Sequence, residues 1–191
     1  MESAKAILDR VAPSLPKPGS TIRSSPSSPK CEFGECEGTG WLGLEGSNAV
    51  RRCRCYAYRK ARSLVPARYR RADLGDFKPA VVEIVTAWLD SPGDGLMIQG
   101  PVGTGKTHLG CALVMRWSLR GGAAYFASVG ALYVRLRDIF SQGGSELELM
   151  QDLAGVELLM LDDFCSGGLT DFERRTALAI LDGRLNALRP T

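Results

Sequence analysis

The sequence predicts a three-layer α/β domain, helices on both faces of a parallel sheet, with a small cysteine-bearing module in front. Three observations predict it. From residue 80 onward, strand-like and helix-like patterns alternate, which is the arrangement of βα units. A glycine-rich turn at 100–107 stands between a short apolar run and a helical stretch. A second apolar run, 156–163, ends in paired acids, and open parallel sheets bind ligands beyond the C-terminal ends of their strands.

A chain of 191 residues, 45% of them hydrophobic, suits one globular domain with an appendage. No apolar run reaches the roughly 18 residues of a membrane span. The N-terminus has Lys5 but no apolar h-region, so the expected location is cytoplasmic. A mitochondrial or chloroplast presequence is disfavoured because Glu2 and Asp9 fall in the segment that would have to be acid-poor. Six cysteines without an export signal read as thiols or metal ligands, not disulfides.

The elements follow in order. Residues 2–12 can form a short amphipathic helix with Ile7, Leu8 and Val11 on one side. Residues 13–30 hold five of the ten prolines among serines and threonines, a composition that cannot bury enough apolar surface to offset its ordering entropy. The stretch 1–30 is thus read as helix plus tether, 31–56 as a cysteine knuckle, 57–80 as a basic connector and 81–191 as the α/β core. Within the core, 81–90 has helical spacing and 96–99 (LMIQ) reads as a strand. Residues 108–120 read as a helix stopped by Gly121 and Gly122, 124–129 as a strand and 131–140 as a helix. The buried strand 156–163 then leads to a long helix at 171–188, N-capped by Thr170 or Asp171.

Gly100-Pro101-Val102-Gly103-Thr104-Gly105-Lys106-Thr107 fits G-x-x-x-x-G-K-[ST], after a strand and opening a helix. The glycines let the backbone curl until several N–H groups face one anion, and the helix dipole points the same way. Lys106 is expected to reach the β- and γ-phosphates of ATP, and the Thr107 hydroxyl to ligate Mg²⁺. Asp162 would hold the Mg²⁺, directly or through water, and Asp163 would act as general base on the attacking water if hydrolysis occurs. This is a P-loop NTPase pattern. The lone histidine, His108, reads as a packed or solvated helix residue rather than a catalyst, and Cys111 and Cys165 as small buried hydrophobes.

The other four cysteines are spaced Cys31-x4-Cys36 and Cys53-x-Cys55, with glycines between for tight turns. Four thiolates suit a closed, tetrahedral, structural Zn²⁺ site. Unliganded thiols, an iron–sulfur cluster and disulfides are the alternatives. A module of about 25 residues is too small for a core, and a metal can replace one. Residues 51–71 carry nine Lys or Arg and no acid, leaving the rest of the chain net acidic. With Tyr56, Tyr58 and Tyr69 interleaved, this window suits a nucleic-acid backbone with stacked bases, or else a solvated connector.

The four-cysteine knuckle, VPARYRRADLGDF, GPVGTGKTHL and LLMLDDF together resemble the DnaC/DnaI helicase-loader branch of the AAA+ ATPases, with the IstB transposition helpers as close kin. The resemblance covers roughly residues 31–190. Asp163 stands where many AAA+ proteins have Glu, as in the loader subgroup. It implies an ATPase that places a hexameric replicative helicase on single-stranded DNA. Ala67–Phe77 would line the adenine pocket, and the N-terminal arm and zinc module would bind the partner. The family continues, past the helix at 171–188, into a strand with a polar sensor residue and a helix with an arginine finger. Here Arg189-Pro190-Thr191 ends the chain, and Arg174 and Arg175 precede the finger position.

The expectation is therefore an ATP-binding half whose own turnover is slow, with open strand edges that would favour association of copies. A non-hydrolysing zinc- and ATP-binding adaptor is the reading from another class, and steady-state ATP turnover separates the two. An IstB-like transposition helper is the third reading. The zinc module favours the loader.

Overall fold

The computed structural model describes residues 30–44, 46, 49–93, 95–141, 146–164 and 170–191. The expected helix at 2–12, nearly all of the tether and Cys165 lie outside the described residues. The chain divides into two compact units, Met1–Cys55 and Tyr56–Thr191.

The first unit holds a short antiparallel hairpin, β1 (Trp41–Gly43) and β2 (Val50–Arg52), with Trp41 opposite Arg52 and Gly43 opposite Val50. Among the described residues its hydrophobic core is Cys36, Cys53 and Cys55, with Cys31 and Leu42 packed against them. Sulfur, not hydrocarbon, makes this core.

The second unit follows the strand–helix alternation. Helix α1 (Arg54–Ser63) begins at the boundary, and two 3-10 turns follow at Ala67–Tyr69 and Leu74–Asp76. Next come α2 (Pro79–Asp90), with proline in its first turn where no N–H is needed, and α3 (Lys106–Leu119). Then β3 (Ala124–Ser128), α4 (Val129–Ser141), α5 (Glu146–Gly155), β4 (Leu158–Asp162) and α6 (Asp171–Asn186) complete it. Strands β3 and β4 are parallel, Ala124 beside Leu158 and Ser128 beside Asp162.

The two-residue period of a strand sorts the core into two layers. Ala124, Phe126, Leu158 and Met160 pack with Cys111, Val114 and Met115 of α3. Tyr125, Ala127, Leu159 and Leu161 pack with Leu132 and Leu136 of α4, Leu149 and Leu153 of α5, and Ile180 of α6. Helices thus cover both faces, as the sequence predicts. The helix–strand approach is closest at Gly110, where an added Cβ would collide with the Met160 side chain. Cys111 is fully buried beside it, its thiol pushed up to about 12 by burial.

Three expectations need correction. Residues 96–99 do not form a strand. A strand requires a hydrogen-bonded ladder, and among the described residues this segment makes one backbone hydrogen bond, to Thr191. Leu96 N donates to Thr191 O at 2.9 Å, and Leu159 N donates to Pro190 O at 3.4 Å. Pro190 and Thr191 sit between the extended segment and β4. The connector 57–80 is not merely solvated, since Ala61, Val65 and Ala72 enter the core beside α3. Helix α5 was not foreseen at all.

Thr170 caps α6 through a capping box: Glu173 N donates to Thr170 Oγ1, and Thr170 N donates to the Glu173 carboxylate at 2.9 Å. The Thr170 backbone N–H, then its hydroxyl, then Arg137 hold the Glu173 carboxyl below the usual range. A lowered folded-state pKa contributes stability that is present above the unfolded value, near pH 4, and is lost as pH falls through the folded value. Glu173→Gln is therefore expected to lower the melting temperature at pH 7 and to shrink that difference below about pH 4. A deficit that persists unchanged in acid would show that the carboxylate charge is not what caps α6.

Among the described residues Arg184 is the largest fully buried side chain, 1% exposed, and none of its hydrogen bonds goes to a carboxylate. Its guanidinium donates to the carbonyls of Leu153, Val156 and Glu157 at 2.7–3.2 Å, to Pro190 O, and to Thr191 Oγ1 at 2.6 Å. Burial, then the neighbouring Arg189 charge, brings its pKa down to about 10. This one side chain ties the α5–β4 turn to the chain segment beside β4.

Candidate functional site

The glycine-rich turn ends at Gly105, whose φ of 88° is left-handed backbone that suits glycine. It delivers Lys106 and Thr107 into the first turn of α3. Gly103 is likewise left-handed, φ 84°, and Thr104 Oγ1 closes the loop on Pro101 O at 2.9 Å. Lys106 Nζ donates to Gly100 O and Pro101 O at 2.9 and 2.8 Å, so the ammonium lies at the mouth of its own loop. Val102, at the tip, is wholly exposed.

Fifty-five residues further along, β4 ends at Asp162, and Thr107 Oγ1 donates to Asp162 Oδ1 at 3.0 Å. Burial raises the Asp162 pKa, helped by the Asp163 charge and opposed by the Thr107 hydrogen bond and Lys106. Asp163 has left-handed backbone, φ 57°, which aspartate tolerates better than most residues, so the chain breaks from the strand direction there. The hydroxyl and carboxylate oxygens are hard donors of the kind that Mg²⁺ selects. The structure thus brings Lys106, Thr107 and Asp162 together across the C-terminal end of the sheet.

The segment before α2 docks on the same turn of α3. His108 Nε2 and Asp76 Oδ2 are 2.8 Å apart, and the rings of Phe77 and Tyr69 meet the imidazole edge-on at 5.4 and 6.1 Å. The backbone N–H of Asp73 and then His108 hold the Asp76 carboxyl below its usual range. His108 is a packing and hydrogen-bonding residue, as its lone occurrence suggests. Phe77 also lies 3.6 Å from where a Cβ on Gly105 would stand.

In the first unit, the ligand sulfurs of Cys31, Cys36, Cys53 and Cys55 all lie within 4.8 Å of one another. Cys31 Sγ is 3.8 Å from Cys53 Sγ, and Cys36 Sγ is 3.3 Å from Cys55 Sγ, so the pairs interleave and none is bonded as a disulfide. Tetrahedral Zn–S bonds of about 2.3 Å put sulfurs about 3.8 Å apart, and the cluster fits that spacing. The backbone N–H of Cys36 leads in bringing the Cys31 thiol down to about 6, although burial raises Cys53. The cluster can bind a metal.

Arg184 escaped sequence reasoning. All but one of its acceptors, the Thr191 hydroxyl, are main-chain carbonyls, which leave no trace in residue identity.

Fold and site define a P-loop nucleotide-binding protein. The family model of the IstB-like ATP binding proteins matches residues 55–187, and the chain belongs to that family. It is similar to the replicative helicase loader DnaC of Escherichia coli, 32% identical over 96 residues, which cover 50% of this chain and 39% of that protein. It is also similar to the insertion sequence IS1162 ATP-binding protein of Pseudomonas fluorescens, 35% identical over 47% of this chain and 38% of that one. A third relative is the insertion sequence ATP-binding protein y4pL of Sinorhizobium fredii, 33% identical over 51% of this chain and 39% of that one. The matches thus span about two-fifths of these relatives. No helix among the described residues is long and apolar enough to cross a membrane.

Proposed function

We propose that this chain binds Mg-ATP at Gly100–Thr107 and serves as the nucleotide-dependent part of a cytoplasmic helicase loader acting on single-stranded DNA. The observation that carries the nucleotide reading is the 3.0 Å contact between Thr107 and Asp162, which sets two magnesium-type ligands beside the lysine of a phosphate loop. In this reading Lys106 exchanges the carbonyls of Gly100 and Pro101 for β- and γ-phosphate oxygens, and the loop N–H groups wrap the phosphates. Thr107 and Asp162 hold the Mg²⁺, which supplies charge neutralisation at the phosphates when bound. Asp163 takes the attacking water as general base, and Ala67–Phe77, docked on α3 through His108, walls the adenine.

The loader reading is supported by the likeness to DnaC, and the two insertion-sequence relatives support a transposition helper as the second reading. Co-sedimentation separates them. The loader reading expects ATP-dependent association with the replicative hexameric helicase that weakens with ADP. Association with a transposase instead, and none with the helicase, would favour the second reading. Asp163→Asn is expected to keep nucleotide binding while removing whatever turnover is measured.

A further inference from the structure

We propose that the hairpin of the cysteine unit is a stacking platform for single-stranded DNA, centred on Trp41. This rests on the loader reading only in naming the strand, since the surface itself lies outside the nucleotide site. Trp41 and Phe33 are large aromatic residues left 38% and 37% exposed. Each has a guanidinium over its ring: Arg52 at 5.6 Å from the Trp41 centroid and Arg54 at 4.5 Å from that of Phe33. Arg51, Arg52 and Arg54 are all exposed. Base–aromatic stacking with arginines on the backbone is how single strands are held without sequence preference.

The hairpin register places Trp41, Gly43, Val50 and Arg52 on one face, while Leu42, on the other, packs against the cysteines. Gly43, opposite Val50, adds no side chain to that face. The main chain that carries the ring is also tied down. Trp41 N and O both hydrogen bond Thr39 Oγ1. The preceding residue, Gly40, donates its N–H to Cys36 Sγ at 3.2 Å and accepts from Cys53 N at 2.8 Å. The sulfur cluster therefore positions the platform, and a pre-ordered aromatic ring binds at low entropic cost. Val50, 62% exposed, shares the Trp41 face, but each ring is paired with a cation suited to phosphate. Arg54 Nε also pairs with Glu35 at 2.7 Å.

The test is titration of a fluorescein-labelled dT oligonucleotide of about 12 residues with the zinc-loaded full chain at low salt, read by the anisotropy of the label for wild type and variants alike, with wild-type tryptophan emission followed in parallel. Trp88 and Trp117 pack in the core of the other unit, so quenching reports Trp41. The expected result is quenching, a log–log salt slope of about −2 from two to three phosphates, and about tenfold weaker binding for Trp41→Leu with zinc content and melting unchanged. Trp41→Phe keeps the π face and is expected to keep most of the affinity, which covers the case in which leucine disturbs the hairpin. Equal affinity for duplex DNA, or wild-type affinity in Trp41→Leu, overturns the platform. Mg-ATP binding, measured on the same samples, shows separately whether the nucleotide reading stands.

Discussion

Replacing Lys106 with alanine is expected to weaken Mg-ATP binding by about 10- to 100-fold. Hydrogen bonds from a charged donor contribute about 1.5–3 kcal/mol each once the competing water is counted, and a factor of ten corresponds to 1.4 kcal/mol. The ammonium stands at the loop mouth, 2.8–2.9 Å from the Gly100 and Pro101 carbonyls, where it can turn to phosphate oxygens without moving the backbone. The neighbouring His108 is engaged with Asp76 and does not stand in for the ammonium. The loop itself is expected to survive, because its turns are set by glycine backbone and by the Thr104–Pro101 hydrogen bond. Binding of a labelled nucleotide, with thermal melting as the control for folding, checks this. A variant that binds ATP as tightly as wild type would show that the nucleotide lies elsewhere.

The phosphate loop was legible because its residue types are forced by its backbone. Left-handed turns at Gly103 and Gly105 admit few alternatives, and a lysine directly inside the following helix is placed by that turn. Asp162 was legible for a related reason, since an apolar run ending in acid places the acid at a strand end. Cysteine spacing likewise foretold the cluster, although not that Cys31 would lie nearest Cys53 and Cys36 nearest Cys55.

Elsewhere local pattern and tertiary context disagree. ELELM at the start of α5 alternates like a strand, and its helical role depends on Leu149 and Leu153 meeting Ile180 across the layer. Residues 96–99 have a strand's composition but lack a ladder, because ladder formation is decided by the neighbour. The nine basic residues of 51–71 obscure the small apolar set, Ala61 and Val65, that anchors α1. Arg184, in a polar-looking stretch, is buried by carbonyl acceptors that any sequence could supply. Each miss concerns a partner remote in sequence.

Removing the metal is expected to unfold the cysteine unit. Zinc should be present at about one ion per chain, bound by Cys31, Cys36, Cys53 and Cys55. Apart from those sulfurs, the one apolar residue packed into the unit's core among the described residues is Leu42, itself only half-buried, and the strands are three residues each. An isolated hairpin of that size is marginal in water, whereas structural zinc contributes about 10 kcal/mol or more in small metal-folded domains. Without the ion, burial pushes the Cys53 thiol up, and sulfurs 3.3–3.8 Å apart offer each other only weak hydrogen bonds. The hydrogen bonds from Gly40 to Cys36 and from Cys53 to Gly40 would then lose their anchor, and with them the strand pairing that positions Trp41. Chelation, or Cys36→Ser, should therefore red-shift and broaden the emission of Trp41 as it moves from 38% exposure toward full solvation. The core of the other unit, built on α3 and the β3–β4 pair, contains none of these cysteines and should keep its own melting transition. Iron with visible absorbance would assign a different metal to the four thiolates. A metal-free preparation with an intact hairpin would mean that hydrogen bonding alone holds the knuckle, a result at odds with so small an apolar core.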